Sequence, residues 1–142
     1  MNIEEQKRIV LDFIRKHKLA VVATTGTTRR PEAAVLEYVV NDNLEIVFDS
    51  LPTFRKVRNI NENPQVAVVI GGEDDKTVQY EGPIAEIKGA EVEEYRQLSL
   101  AKYPNSAEII KEKGLIWYKV TPRWIRYLDV STKPWQQFEI NL

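Results

Sequence analysis

The residues with the clearest capacity for chemistry are cations that follow a short turn in the middle of the chain. Arg55, Lys56 and Arg58 stand between an apolar run that ends at Ser50 and the stop signal Asn63-Pro64. The turn residues before the cations predict a helix start at this point. A helix start offers free backbone N–H groups, and adjacent cations add charge, so the segment predicts a site for a phosphate.

The cluster alone leaves a second interpretation open. Charge clusters of this size are common on solvated helix faces. Ser50 or Thr53 could serve as an ordinary helix N-cap. By itself the segment is therefore more typical of a solvated helix face, and the phosphate site is the alternative hypothesis.

Composition excludes several other kinds of site. The chain of 142 residues has no cysteine and one histidine, His17, and its formal net charge is −1. Thiolate catalysis, disulfides and cysteine-bound metals are excluded. A near-neutral chain without interleaved basic and aromatic residues does not favour nucleic acid. We expect no metal site and no nucleic-acid partner.

The N-terminus and the apolar segments indicate where the protein resides. The first residues, MNIEEQKRIV, carry acidic groups where a signal peptide needs cations and an apolar run. No apolar stretch approaches the roughly 20 residues that cross a bilayer. We therefore expect a cytoplasmic protein without a membrane partner.

Periodicity predicts a mostly β protein, a barrel with peripheral helices, forming a single domain over residues 1–142. Gly82-Pro83 predicts a bend inside a long strand. The tail, 129–142, shows little periodicity. The predicted helices cover 2–18, 52–61, 90–102 and a turn within 107–113. The predicted strands are 19–25, 33–40, 44–48, 65–70, 77–88, 115–120 and 124–128.

The order of these elements and several short motifs resemble the pyridoxamine 5′-phosphate oxidase family. The resemblance covers roughly 19–129. It is carried by Phe48-Asp49-Ser50, Phe54-Arg55-Lys56, Asn59-Ile60, Asn63-Pro64, Tyr80-Glu81-Gly82 and the segment 120–128.

The resemblance implies an FMN-binding split barrel that forms a homodimer with the flavin at the subunit interface. Arg55 and Lys56, with Phe54 beside them, would hold the flavin phosphate. The remaining implied contacts are Phe48, Asp49 and Ser50 along the ribityl chain or ring edge, Val35 and Leu36 against the isoalloxazine, Thr77 and Gln79 near the flavin, and Trp117 or Trp135 covering it from the partner chain.

Departures from the family pattern narrow the predicted function. Ala33 and Tyr38 occupy positions where enzymes acting on pyridoxamine phosphate carry an Arg and a Lys, and no C-terminal Arg-x-His pattern is visible. We predict a flavin-dependent oxidoreductase-like protein that does not act on vitamin B6 phosphates, with substrate and catalytic residues unassigned. The alternatives are a non-catalytic flavin-binding or stress-related module and a deazaflavin-dependent reductase. Haem is disfavoured because His17 is poorly placed.

Overall fold

The computed structural model describes residues 1–142 and consists of one antiparallel sheet with helices packed around it. The helices are α1 (Ile3–Lys16), α2 (Arg55–Glu62), α3 (Ala90–Lys102) and α4 (Ala107–Ile110), with a 3₁₀ turn at Pro104–Ser106. The strands are β1 (Ala20–Thr25), β2 (Pro31–Leu36), β3 (Val39–Val40), β4 (Ile46–Ser50), β5 (Gln65–Gly71), β6 (Lys76–Ile87), β7 (Ile116–Val120), β8 (Trp124–Asp129) and β9 (Gln136–Asn141). None of the helices is long and apolar enough to cross a membrane.

The sheet curls into a half-barrel because β6 changes partners along its length. The strands of the sheet follow the order β2-β1-β5-β6-β7-β4-β3, and β8 pairs with both β6 and β9. The first part of β6 pairs with β5 and β8, and its second part, from Ile84, pairs with β7. Gly82 lies at the change, where a Cβ atom would stand 1.9 Å from the carbonyl oxygen of Thr121. The predicted bend at Gly82-Pro83 is therefore confirmed, and only glycine fits the close backbone approach.

A large apolar core fills the concave side of the sheet. A cluster of 22 buried residues joins alternate side chains of the strands with the inner face of α1. Val10, Phe13 and Ile14 are the buried residues of that helix, as the predicted amphipathic pattern requires. A separate cluster of seven lies between α3 and the strands β4 and β7, and it contains Trp117. This second cluster anchors the helices that wall the candidate site.

One predicted strand is wrong in its extent, because 33–40 is divided into β2 and β3. The two parts pair on different sides of the curled sheet, β2 with β1 and β3 with β4. Glu37 and Tyr38 form the break. The Tyr38 hydroxyl donates to the carbonyl oxygens of Ile14 at 2.7 Å and His17 at 3.0 Å, which fixes the chain there.

The tail contains a strand that the sequence pattern did not predict. β9 pairs with β8 along its whole length. Ile140 is fully buried, and the ring of Phe138 stacks on Tyr127 with centroids 5.2 Å apart. Only these two apolar side chains point inward, so the alternation is too short to be distinctive.

Candidate functional site

Two adjoining clefts open where the ends of β2 and β4 meet the start of α2. The larger, which we name the inner cleft, has a volume of about 470 Å³ and is bounded on its far side by α3, α4 and the loop that follows. The smaller, the outer cleft, has about 340 Å³ and lies over β1 and β2. Val35, Phe54 and Lys56 line both clefts and form the boundary between them.

The start of α2 presents unused hydrogen-bond donors to these clefts. Phe54 is the N-cap residue, and no side chain caps the helix, so neither Ser50 nor Thr53 has that role. The backbone N–H groups of Arg55 and Lys56 donate to no acceptor in the chain. Free N–H groups at a helix start favour an anion.

Buried polar contacts hold α2 in place against the sheet. Val57, Asn59 and Ile60 are its buried residues. The Asn59 amide donates to the Thr24 hydroxyl at 3.0 Å and to the Glu32 carboxylate at 2.8 Å. These contacts join the helix to β1 and β2, so the two cations at its start are presented from a rigid support.

The two cations differ in their surroundings. The Arg55 guanidinium is 2.5 Å from the Glu32 carboxylate, and the Arg55 side chain is 68% exposed. The Lys56 ammonium lies over the Phe54 ring, 4.7 Å from its centroid. Burial lowers the pKa of Lys56, and the charge of nearby Asp49 opposes that shift. A bound anion at this helix start would compete with Glu32 for Arg55.

Asp49 is the most perturbed acid of the site. Burial, and then the charge of Glu37, raise the pKa of Asp49 to about 6, while Lys56 and Arg96 act in the opposite direction. Asp49 is paired with Trp117 across β4 and β7, and it lines the inner cleft. Its carboxylate therefore sits where it is poorly solvated and incompletely neutralised.

The far wall of the inner cleft comes from the α3–α4 region. Tyr103 fixes this wall to the rest of the fold, because its hydroxyl contacts the carbonyl oxygens of Lys18 and Tyr38 at 2.9 and 2.6 Å. The Tyr38 backbone N–H donates back to the same hydroxyl at 3.1 Å. The residues that this wall contributes to the cleft are Ser99, Tyr103, Ile109, Ile110, Glu112 and Leu115.

The structure brings together most of the residues that the sequence singled out. Arg55 lines the outer cleft. The inner cleft is lined by Val35, Leu36, Phe48, Asp49, Ser50, Phe54 and Lys56.

Three other predicted residues lie elsewhere in the chain. Thr77 and Gln79 are on β6, and Gln79 is exposed on the convex face of the sheet, paired with Val69 and Arg126. Trp135 is 60% exposed in the segment between β8 and β9. None of them lines either cleft. Trp117, the other candidate to cover the flavin, is 2% exposed and belongs to the second apolar cluster.

The carboxylates of the site and the α3–α4 wall were missed by the sequence reasoning. The sequence reasoning identified Val35 and Leu36 on β2. Glu32 lies three residues before Val35 on the same strand, and Glu37 directly follows Leu36. A search for acids on the strand opposite a basic helix start would have found Glu32. Ser99 and Glu112 carry no such signal, because only the packing of α3 and α4 brings them to the cleft.

His17, the only histidine, does not turn its ring toward the clefts. Its Nδ1 lies 2.8 Å from the carbonyl oxygen of Phe13, and its ring is tilted by 32° against the Phe13 ring, with centroids 4.1 Å apart. It lines neither cleft. Histidine ligation of a haem there has no support in the geometry.

A curled antiparallel half-barrel with a basic helix start at its strand ends defines the class of split-barrel proteins. The profile of the pyridoxamine 5′-phosphate oxidase family matches residues 7–129, so the chain belongs to that family. The predicted fold class and the stated resemblance are thereby confirmed. Among curated proteins, none matches the sequence significantly.

Solved structures with the same fold come from several bacteria. General Stress Protein 26 from Bacillus anthracis is 18% identical with a TM-score of 0.76, and the match covers 97% of this chain and 99% of that one. ChuZ from Campylobacter jejuni is 12% identical with a TM-score of 0.82, over 99% of this chain and 61% of that one. A heme binding protein from Mycobacterium smegmatis is 15% identical with a TM-score of 0.77, over 91% and 55%. At these identities the likeness shows the fold alone.

Proposed function

We propose that the protein is an FMN-binding, oxidoreductase-like member of its family. The observation that carries the proposal is the start of α2, where Arg55 lines the outer cleft, Lys56 lines both clefts, and two backbone N–H groups are free. The FMN phosphate carries close to two negative charges, and an arginine, an ammonium and a helix start together complement such a group. Family membership supports the same cofactor.

The inner cleft fits the remainder of the flavin. Ten of its 16 lining residues are hydrophobic, and the buried ring of Phe48 forms part of its floor. Flavin sites need an apolar slot with a few polar groups that fix orientation. Val35 and Leu36 would contact the ring, while Asp49 and Ser50 would orient the ribityl chain or ring edge. When bound, FMN would supply the hydride and electron chemistry.

A homodimer is part of the proposal, and the convex face of the sheet supports it. On β2, β1 and β5, a row of valines (Val35, Val21, Val69) runs beside a row of alanines (Ala33, Ala23, Ala67). Val35 and Val69 are 64% and 38% exposed. An apolar face of small side chains suits close packing of a second copy. Since Val35 also lines both clefts, the flavin would lie beside this interface.

The dimer can be tested by placing a charge on this face. The Ala67→Arg variant should elute as a monomer, whereas the natural chain should show twice the 16.4 kDa of one chain. Light scattering after size-exclusion chromatography measures the mass. Ala85→Arg, at an exposed position on the second part of β6, is the matched control and should remain dimeric. A dimeric Ala67→Arg would place the interface elsewhere. Any contact of Thr77, Gln79 or Trp135 with the flavin would have to come from the second subunit.

Vitamin B6 phosphates are poor candidates for the substrate. Ala33 has no group that could hold a phosphate. Tyr38 is 1% exposed, and its hydroxyl is already committed to the carbonyl oxygens of Ile14 and His17. Neither residue can replace the cations that would grip the substrate phosphate. The proposed substrate is therefore a different small molecule.

The direct test is titration of the purified protein with FMN, followed by visible absorbance and fluorescence quenching. We expect saturable binding with a 1:1 ratio per chain, weaker binding of riboflavin, which lacks the phosphate, and competition by a deazaflavin mononucleotide if that cofactor is used instead. A protein that neither retains nor titrates FMN would contradict the proposal. Reduction by a nicotinamide donor and reoxidation by an acceptor would distinguish an enzyme from a module that only binds flavin.

A further inference from the structure

The outer cleft has no role in the proposed placement of FMN. In that placement the flavin ring and ribityl chain take the inner cleft, and the phosphate takes the start of α2. The outer cleft, of about 340 Å³, continues beyond this start, and Val35, Phe54 and Lys56 line both clefts. A phosphate held at the boundary therefore has a cavity on each side of it.

The cations at the start of α2 are distributed over both clefts. Lys56 lines the inner and the outer cleft, whereas Arg55 lines the outer cleft alone. The backbone N–H groups of both residues are free. A diphosphate would engage Lys56 through the phosphate beside the inner cleft and Arg55 through the phosphate beside the outer cleft. This donor set therefore suits two linked phosphates.

The walls of the outer cleft suit a flat heteroaromatic base. Val22, Ala33, Ala34 and Val35 are among its lining residues and make its sides apolar. The ring of Phe54 stands at its boundary, and this residue is 49% exposed. An accessible aromatic ring offers a stacking surface that accepts any nucleobase.

Two polar side chains of the same cleft suit a ribose. The Glu32 carboxylate lines the cleft and lies 2.5 Å from the Arg55 guanidinium. A phosphate that takes Arg55 releases this carboxylate, which can then accept hydrogen bonds from ribose hydroxyls. Thr24, 3% exposed, also lines the cleft, and its hydroxyl accepts from Asn59 at 3.0 Å. The hydroxyl proton of Thr24 is left for an acceptor on a ligand.

We propose that the two clefts and the start of α2 form one site for a flavin adenine dinucleotide. The flavin half occupies the inner cleft, the diphosphate lies on Arg55 and Lys56, and the adenosine occupies the outer cleft. The inference rests on the proposed function, because it keeps the flavin half where FMN is placed. A separate anionic ligand in the outer cleft is disfavoured, because it would repel the FMN phosphate at the shared cations.

Titrations of the purified protein, freed of any bound flavin, with FAD, FMN and ADP test the inference. FAD should bind about tenfold more tightly than FMN, because its second phosphate and its adenosine add contacts. ADP, which has the adenosine and the diphosphate but no flavin, should bind measurably. FMN should displace it, since both ligands need the start of α2. Flavin fluorescence and isothermal titration calorimetry measure these affinities.

A variant that narrows the outer cleft locates the adenosine. Thr53 is exposed and lines the outer cleft but not the inner one. Thr53→Trp should abolish the advantage of FAD over FMN and weaken ADP binding at least about fivefold. The matched control is Asn61→Trp, at an exposed position of α2 that lines neither cleft, and it should keep the natural ranking. Circular dichroism of each variant checks that the fold is retained.

The outcomes separate this inference from the proposed function. FMN binding with FAD no tighter would overturn the inference and leave the proposed function intact, even where ADP binds. FAD binding without measurable FMN binding would support the inference and correct the cofactor. If neither flavin binds, both proposals are overturned. An unchanged advantage of FAD in Thr53→Trp would place the adenosine outside the outer cleft and would also overturn the inference.

Discussion

The two ends of the joined clefts contrast in how their charges are arranged. At the α2 end, Arg55 pairs with Glu32 at 2.5 Å, and the charge of Asp49 acts on Lys56 from a longer distance. At the far end, the α3–α4 wall contributes the apolar side chains of Ile109, Ile110 and Leu115. The α2 end is thus charged and exchanges an internal anion for a bound one. The far end is mainly apolar.

The largest expected effect is a loss of FMN affinity when the cations of the α2 end are removed. Arg55→Ala/Lys56→Ala should weaken FMN binding at least about 100-fold, since each charge-assisted contact contributes about 1.5–3 kcal/mol. Fluorescence titration measures the affinity. Arg58→Ala/Arg30→Ala removes the same charge from residues that line neither cleft and should leave FMN affinity near the natural value. Unchanged FMN affinity in Arg55→Ala/Lys56→Ala would show that the phosphate is held elsewhere.

The second prediction concerns Asp49, which lies between the two ends. Its folded pKa of about 6 exceeds the ordinary value of 3.8, so the folded protein retains a proton that the unfolded chain loses. The resulting stabilisation is complete below about pH 4 and is lost as the pH rises through about 6. Asp49→Asn should therefore gain stability relative to the natural chain between pH 4.5 and 7.5, by up to about 2 kcal/mol.

Urea unfolding at the two pH values, without FMN, measures this difference. Asp12→Asn, which removes an exposed carboxylate from α1, is the control and should show no comparable change. Equal stability differences at both pH values would mean that Asp49 is well solvated and that burial does not raise its pKa.

The smallest expected effect tests the internal competition at the α2 end. Glu32→Gln removes the carboxylate that pairs with Arg55 but keeps an oxygen that can accept from Asn59. Because Arg55 is largely exposed, the pair contributes at most about 1 kcal/mol. FMN should therefore bind about two- to fivefold more tightly. Glu62→Gln, at the other end of α2, should not change the affinity, and weaker binding in Glu32→Gln would show that Glu32 orients Arg55 rather than competing for it.

Much of the fold and part of the site could be predicted from local pattern. The alternation of apolar residues predicted seven strands, and the stop at Asn63-Pro64 predicted the end of α2 within one residue. The division of 33–40 was not predictable, because both halves are equally apolar and the break depends on where Tyr38 reaches α1. β9 was missed because only Phe138 and Ile140 carry its pattern.

The sequence by itself determined the basic helix start and the motifs around it. Arg55 and Lys56 follow the turn directly, so their place at the N-terminus of α2 is a local property of the chain. Val35, Leu36 and Phe48 likewise belong to strands whose apolar pattern is readable without a structure.

Only the tertiary structure decided what faces those residues. Glu32 meets Arg55, and Ser99 and Glu112 reach the same cleft as Asp49, because strand pairing and helix packing bring together residues far apart in the chain. The charge balance of a cleft is a sum over all its walls, and no local pattern contains that sum. The basic motif therefore indicates a phosphate site, while only the fold shows that Glu32 competes with the phosphate for Arg55.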